Sequence, residues 1–141
     1  MNADNPAMVG LLIIAHAPLA SALRQLALHA FPDAGDRVQA LDVQPDVAPS
    51  HTLGQAQAIL VQTGWRECLI LTDALGATPC NVACGLMGDT TGHNRRLVSG
   101  VNVPMLWRAM CYAHEPLDVL VSKALEGASA GVMEIPSDER R

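Results

Sequence analysis

Two hydrophobic periods alternate along the chain. The stretch VGLLIIA, residues 9–15, is apolar at every position, the mark of a strand buried on both faces. From Pro18 onward, Leu19, Ala22, Leu23, Leu26, Ala27 and Ala30 recur at helical spacing, and a proline suits the first turn of a helix. VQALDV, residues 38–43, reads as a second strand. Ser50 is placed to cap a helix that turns Leu53, Ala56, Ile59 and Leu60 inward. CLILT (68–72) is a third buried strand and LVSGV (97–101) a shorter fourth. Pro104 opens a helix through Met105, Leu106, Ala109 and Met110, and a last helix covers about Pro116 to Glu126. AGVMEI (130–135) reads as a closing strand; no helix follows it, so it is expected to pair at a sheet edge or with another subunit.

Strand followed by helix, repeated, predicts an α/β fold: one parallel sheet of about four strands, right-handed crossovers, and helices on both faces. The 141 residues suffice for one domain with a real core, spanning 1–141, with flexible ends expected at 1–7 and 136–141. Half of the chain is apolar and charge is sparse, which argues against disorder. The net charge is -5, and the nine Lys and Arg cluster only at Arg95-Arg96 and Arg140-Arg141, so a nucleic-acid partner is not expected. No apolar run approaches the ~20 residues of a membrane span. The start, MNADNPAM, lacks the basic-then-apolar pattern of a secretion signal. A cytoplasmic protein without membrane insertion is the expectation.

In parallel sheets, ligands gather beyond the carboxyl ends of the strands, near the point where strand order reverses. Three polar residues fall at such ends: His16, Asp73 and Asn102. An imidazole beside the unpaired N–H groups of a helix start can act as a nucleophile toward a phosphoryl group. That role needs one ring nitrogen unprotonated and the other held by an acceptor, for which Asp73 is the candidate. The plainer alternative for His16 is a rim histidine without chemistry. In DALGATPCN (73–81), Gly76 permits a tight turn, Thr78 can cap the following helix, and Pro79 suits its first turn. An ordinary strand-to-helix loop would contain the same residues. His29, His51, His93 and His114 follow no buried strand and are weaker candidates.

The four cysteines form no CxxC pair. Cys80 and Cys84 would share a helix face and could touch a metal, but small buried hydrophobes in a reducing compartment are the expected role, with no metal site. GxxxxGK[ST], GxGxxG and GxSxG are absent, and aromatic residues are too few for a flavin site of the flavodoxin kind. A phospho-aspartate receiver would want an acidic pair where Ala15 and His16 stand.

GLLIIAHAPLASAL, LILTDALGATPCNVA and SGVNVPML together resemble the signature stretches of the mannose-family enzyme IIA domains of the bacterial phosphoenolpyruvate:sugar phosphotransferase system. The resemblance runs from the first strand to the final helix. It implies a four-stranded parallel sheet with a fifth strand exchanged across a homodimer, which would account for AGVMEI. It implies that His16 is the phosphorylated histidine, that Asp73 hydrogen-bonds it, and that Gly76, Ala77, Thr78 and Pro79 supply phosphate contacts. The phosphoryl group would arrive from the carrier HPr and leave for a IIB domain, with no metal or organic cofactor. Ala17 and Ala77 depart from the glycines that are frequent in the family, and a Cβ at each could trim the docking surface. A fused IIB domain is not expected behind Arg141, which weakens the sugar-uptake reading without removing it and leaves a regulatory role open. The alternatives are a binding module switched by phosphorylation of His16, the phosphocarrier subunit of a dihydroxyacetone-kinase system, and a structural dimer without chemistry. VNVPML favours the mannose-type reading over the dihydroxyacetone-kinase one, and His16 with Asp73 argue against a purely structural role.

Overall fold

The run of apolar residues at the start of the chain becomes the centre of a sheet. In the computed structural model, which describes residues 8–88 and 92–139, β1 (Gly10–His16) is buried along its length until His16. Leu11, Ile13 and Ala15 enter one core cluster and Leu12 and Ile14 another, so both faces of this strand are covered. It is flanked by β2 (Val38–Val43) and β3 (Glu67–Thr72), and β3 by β4 (Asn94–Ser99), all parallel, in the order β2-β1-β3-β4. The α/β fold expected from the sequence is present as a four-stranded parallel sheet with helices on both faces.

Helix α1 (Leu19–Ala30), α4 (Val103–Cys111) and α5 (Leu117–Ala130) cover the face bearing Leu11 and Ile13, with Leu23, Leu106 and Leu120 at the heart of that cluster. Helix α2 (Pro49–Thr63) and α3 (Thr78–Cys84) cover the other face, through Ala56, Leu60 and Ala83. The chain leaves β1 for β2 on one side, then crosses back to β3 on the other, so strand order reverses between β1 and β3. His16 and Asp73 emerge beyond the carboxyl ends of these two strands, at the point where the order reverses.

Several expectations are corrected. On α1 the buried residues are Ala20, Leu23 and Ala27, whereas Leu19, Ala22 and Ala30 face outward. Small residues let the helix approach the sheet closely, and an apolar pattern does not say which alanines do so. Ser50 is not the cap of α2: the helix begins at Pro49 after Ala48 and has no side-chain cap bond. Strand β4 starts three residues before Leu97, because Arg95 and Arg96 join the ladder while their guanidinium groups reach Leu86 O and Asp118. Helix α5 runs on to Ala130, taking the first residue of the expected closing strand, and residues 132–136 have no regular structure. Val132, Met133 and Ile135 are exposed there. Residues 137–139 form a short 3-10 turn; the expected flexible start at 1–7 and Arg140-Arg141 lie outside the described residues.

Candidate functional site

Asp73 follows the last residue of β3 and turns its carboxylate across to the end of β1. Its Oδ2 accepts from His16 Nδ1 at 2.7 Å and from the His16 backbone N–H at 3.1 Å, and its Oδ1 accepts from the Ala74 N–H at 2.9 Å. The carboxylate is largely enclosed, at 14% side-chain exposure, while the imidazole is 55% exposed. Burial pushes the Asp73 carboxyl up, but the bond from the His16 ring, the His16 and Ala74 N–H groups and the charge of the ring outweigh it and hold it below the ordinary carboxylate value.

An ionised carboxylate only accepts hydrogen bonds, so the proton between the two groups sits on Nδ1. In the neutral ring this leaves the lone pair on Nε2, the nitrogen turned away from Asp73. No hydrogen bond to Nε2 occurs among the described residues. The arrangement is a nucleophilic nitrogen exposed at the end of the central strand, with its tautomer fixed and a negative charge behind it. It suits attack on an electrophile that arrives from solvent and leaves the ring positively charged.

The loop after Asp73 holds the other expected residues. Gly76 has φ of +80°, a conformation that side chains bearing a Cβ rarely adopt, and it allows the chain to turn back into α3. Ala77, not Thr78, occupies the cap position of α3, and no side-chain cap bond is made. Thr78 is exposed and is the first helical residue, followed by buried Pro79. Ala77 N–H donates to Ala74 O at 3.3 Å, and Asn81 N–H to Ala77 O at 3.0 Å. His16 and Asp73 are thus brought into direct contact, whereas Gly76, Ala77, Thr78 and Pro79 line the connection from β3 to α3 without a bond to either side chain.

Asn102 does not join them. Its Oδ1 accepts from Met105 N–H at 2.8 Å and its Nδ2 donates to Ala128 O at 3.2 Å, so it caps α4 and ties that helix to α5. The start of α1 is also less open to an anion than its position suggests. Asp42, near the end of β2, accepts from Ser21 N–H at 3.0 Å and from the Ser21 hydroxyl, placing a carboxylate at that helix start. Asp42 was legible as an acidic residue at the same end of the sheet as Asp73, and its register partner is Ala15.

The remaining histidines stand apart from this centre: His29 and His51 are exposed, His93 precedes β4, and His114 lies 3.6 Å from Glu115. Cys68 and Cys80 are buried, and burial pushes the Cys68 thiol up to about 12. Among the described residues no group of three or more His, Cys, Asp or Glu could hold a metal ion, and no helix is long and apolar enough to cross a membrane.

Residues 10–125 match the family model EIIA-man, described as the fructose IIA component of the PTS system. Among solved structures, the chain is similar to phosphotransferase system component EIIA from Streptococcus agalactiae, with 25% identity, a TM-score of 0.80, and coverage of 90% of this chain and 97% of that one. It is similar to the mannose/sorbose specific IIA subunit from Enterococcus faecalis, with 24% identity, a TM-score of 0.81, and coverage of 96% and 100%. A PTS IIA protein associated with the fucose utilization operon of Streptococcus pneumoniae shares 21% identity at a TM-score of 0.74, over 92% and 95% of the two chains. The last two likenesses speak for the fold alone.

Proposed function

The chain belongs to the EIIA-man family of phosphotransferase-system IIA components, and from that premise we propose that it is a cytoplasmic phosphoryl carrier working through His16. The observation that carries this reading is the 2.7 Å bond from His16 Nδ1 to Asp73, made by an imidazole that is more than half exposed. Nε2 attacks the phosphorus of phospho-HPr; the new N–P bond forms as the bond to the donor's histidine nitrogen breaks and the electron pair returns to that nitrogen. The Nδ1 proton stays in its bond to Asp73, whose charge balances the positive ring. In the second half of the cycle the same phosphoryl group passes from Nε2 to a IIB-type acceptor. Gly76, Ala77, Thr78 and Pro79 are the proposed phosphate contacts, through N–H groups of the loop and the exposed Thr78 hydroxyl. A histidine carrier needs no metal or organic cofactor for this exchange.

The working unit is a homodimer. Val132, Met133 and Ile135 leave three large apolar side chains in water on a segment with no regular structure, and β4 lies at an edge of the sheet. A second copy, pairing this segment as a fifth strand along its own sheet, satisfies both.

Intact-mass measurement after incubation with phosphoenolpyruvate, enzyme I and HPr tests the carrier reading. One added phosphate, labile in acid and absent from His16→Ala, is the expected result. No added mass, with enzyme I and HPr active on a control carrier, would overturn it.

A further inference from the structure

Two buried hydroxyls stand at the strand ends beside the site. Thr72, the last residue of β3, is fully buried, and its Oγ1 has no hydrogen-bond partner within the protein. Ser99, the last residue of β4, has a buried Oγ that is equally without one. The two residues are register partners, so their side chains are neighbours across one strand spacing of about 4.8 Å. Both lie on the face covered by α2 and α3, because Ile70 and Leu97, two positions earlier, belong to the core cluster there. His16 shares that face, two positions beyond Ile14, which is itself in register with Thr72. Helix α3 packs on β1, β3 and β4, and the 73–79 loop is its N-terminal connection.

A hydroxyl buried without a partner is less favourable than an aliphatic group of the same shape. Valine at 72 and alanine at 99 would continue the aliphatic runs LIL and LV without that cost. The Thr72 carbonyl already accepts from Val101 N–H at 2.9 Å, so it is the side chains that lack a partner within the protein. One peptide bond further on is Asp73. Stability set aside next to a reactive group is a frequent sign of a second state in which the unused groups find partners.

Resting on the carrier reading above, we infer that Thr72 and Ser99 are positioning residues for the phosphorylated state. When the phosphoryl group is on His16, the 73–79 loop settles onto the strand ends and its carbonyl groups take hydrogen bonds directly from this hydroxyl pair. The two hydroxyls do not touch the phosphoryl group; they act through the loop and Asp73. Because they gain partners only in that state, they shift the exchange with phospho-HPr toward the phosphorylated carrier.

Thr72→Val, Thr72→Ser and Ser99→Ala separate this from a structural role. For each, the melting temperature of the unphosphorylated protein, the equilibrium constant for exchange with phospho-HPr, and amide exchange at residues 74–78 with and without phosphate are measured. Thr72→Val is expected to melt no lower than wild type and up to roughly 5 °C higher. Its equilibrium constant should fall about tenfold, and the phosphate-induced protection of the loop should be lost. Ser99→Ala should move the same way to a smaller extent, and Thr72→Ser should restore wild-type exchange. Wild-type equilibrium and loop protection in Thr72→Val overturn the inference while leaving the carrier reading intact. A lowered melting temperature with an unchanged equilibrium constant also overturns it, since the hydroxyls would then be ordinary structural bonds. A wild-type protein that takes no phosphoryl group overturns both.

Discussion

Replacing Asp73 by asparagine keeps the shape of the site and removes its charge. In the native site Oδ2 serves two donors of His16, the ring at 2.7 Å and the backbone N–H at 3.1 Å, while Oδ1 serves Ala74 N–H. An amide has one oxygen, so whichever way it turns, its NH2 group faces one of these donors. If the NH2 faces His16, the ring must present an unprotonated Nδ1, and the proton moves to Nε2, the nitrogen that has to attack. If the oxygen faces His16, the tautomer survives but the bond becomes neutral. A charge-assisted bond contributes about 1.5–3 kcal/mol against about 0.5–1.5 for a neutral one, and the ring becomes cationic during transfer. With the tautomer loss added, the barrier rises by about 1.4–2.7 kcal/mol, a slowing of roughly 10- to 100-fold. The assay is the initial rate of phosphorylation by phospho-HPr, followed by intact mass, with the thermal melt as a check on folding. A folded Asp73→Asn variant phosphorylated at the wild-type rate would refute the role assigned to this carboxylate.

The same carboxylate makes stability depend on pH. Its folded value lies below the ordinary one, so its contribution is complete above about pH 4 and is lost as the pH falls through the lower folded value. Melting temperatures measured between pH 6 and pH 3 should therefore fall more steeply for wild type than for Asp73→Asn, and parallel curves would contradict this. Gly10→Ala would place a Cβ 2.0 Å from Trp65 Cδ2, within the indole that packs over the start of β1. A loss of about 1–3 kcal/mol in chemical denaturation is expected, with the Trp65 fluorescence altered; an unchanged midpoint would mean that the ring moves aside freely. Met133→Asp with Ile135→Asp should convert the proposed dimer to monomer in sedimentation without lowering the helix content; a persistent dimer, or a monomeric wild type, would contradict the proposed interface.

The strands carrying the site were the most readable part of the chain. The continuous run at 9–15 marks β1 within a residue, because burial on both faces leaves no room for polar side chains, and VQALDV at 38–43 marks β2. Strand β4 is longer than LVSGV suggests, since Arg95 and Arg96 resemble loop residues although their long side chains lead the charges out of the sheet. Asn102 shows the reverse difficulty: a polar residue at a strand end reads the same whether it faces a ligand or caps the next helix. The contact of His16 with Asp73 follows from strand order, which no local pattern contains, although both residues could be placed at strand ends from the sequence. Asp42 gives no local signal of its role in the sequence, because its use depends on Ser21 of α1 lying beside β2. For residues 132–135, apolar composition says that the segment is suited to burial but not against which chain.

On the reading proposed here, Asp73 holds Nδ1 of His16 so that Nε2 carries the phosphoryl group. Long-range proton–nitrogen NMR of the protein phosphorylated by phospho-HPr, with its histidines labelled in nitrogen-15, reads this directly. One phosphohistidine is expected, at position 16, substituted on Nε2, with Nδ1 still bearing its proton. A phosphoryl group on Nδ1, or on any of the other four histidines, would contradict it.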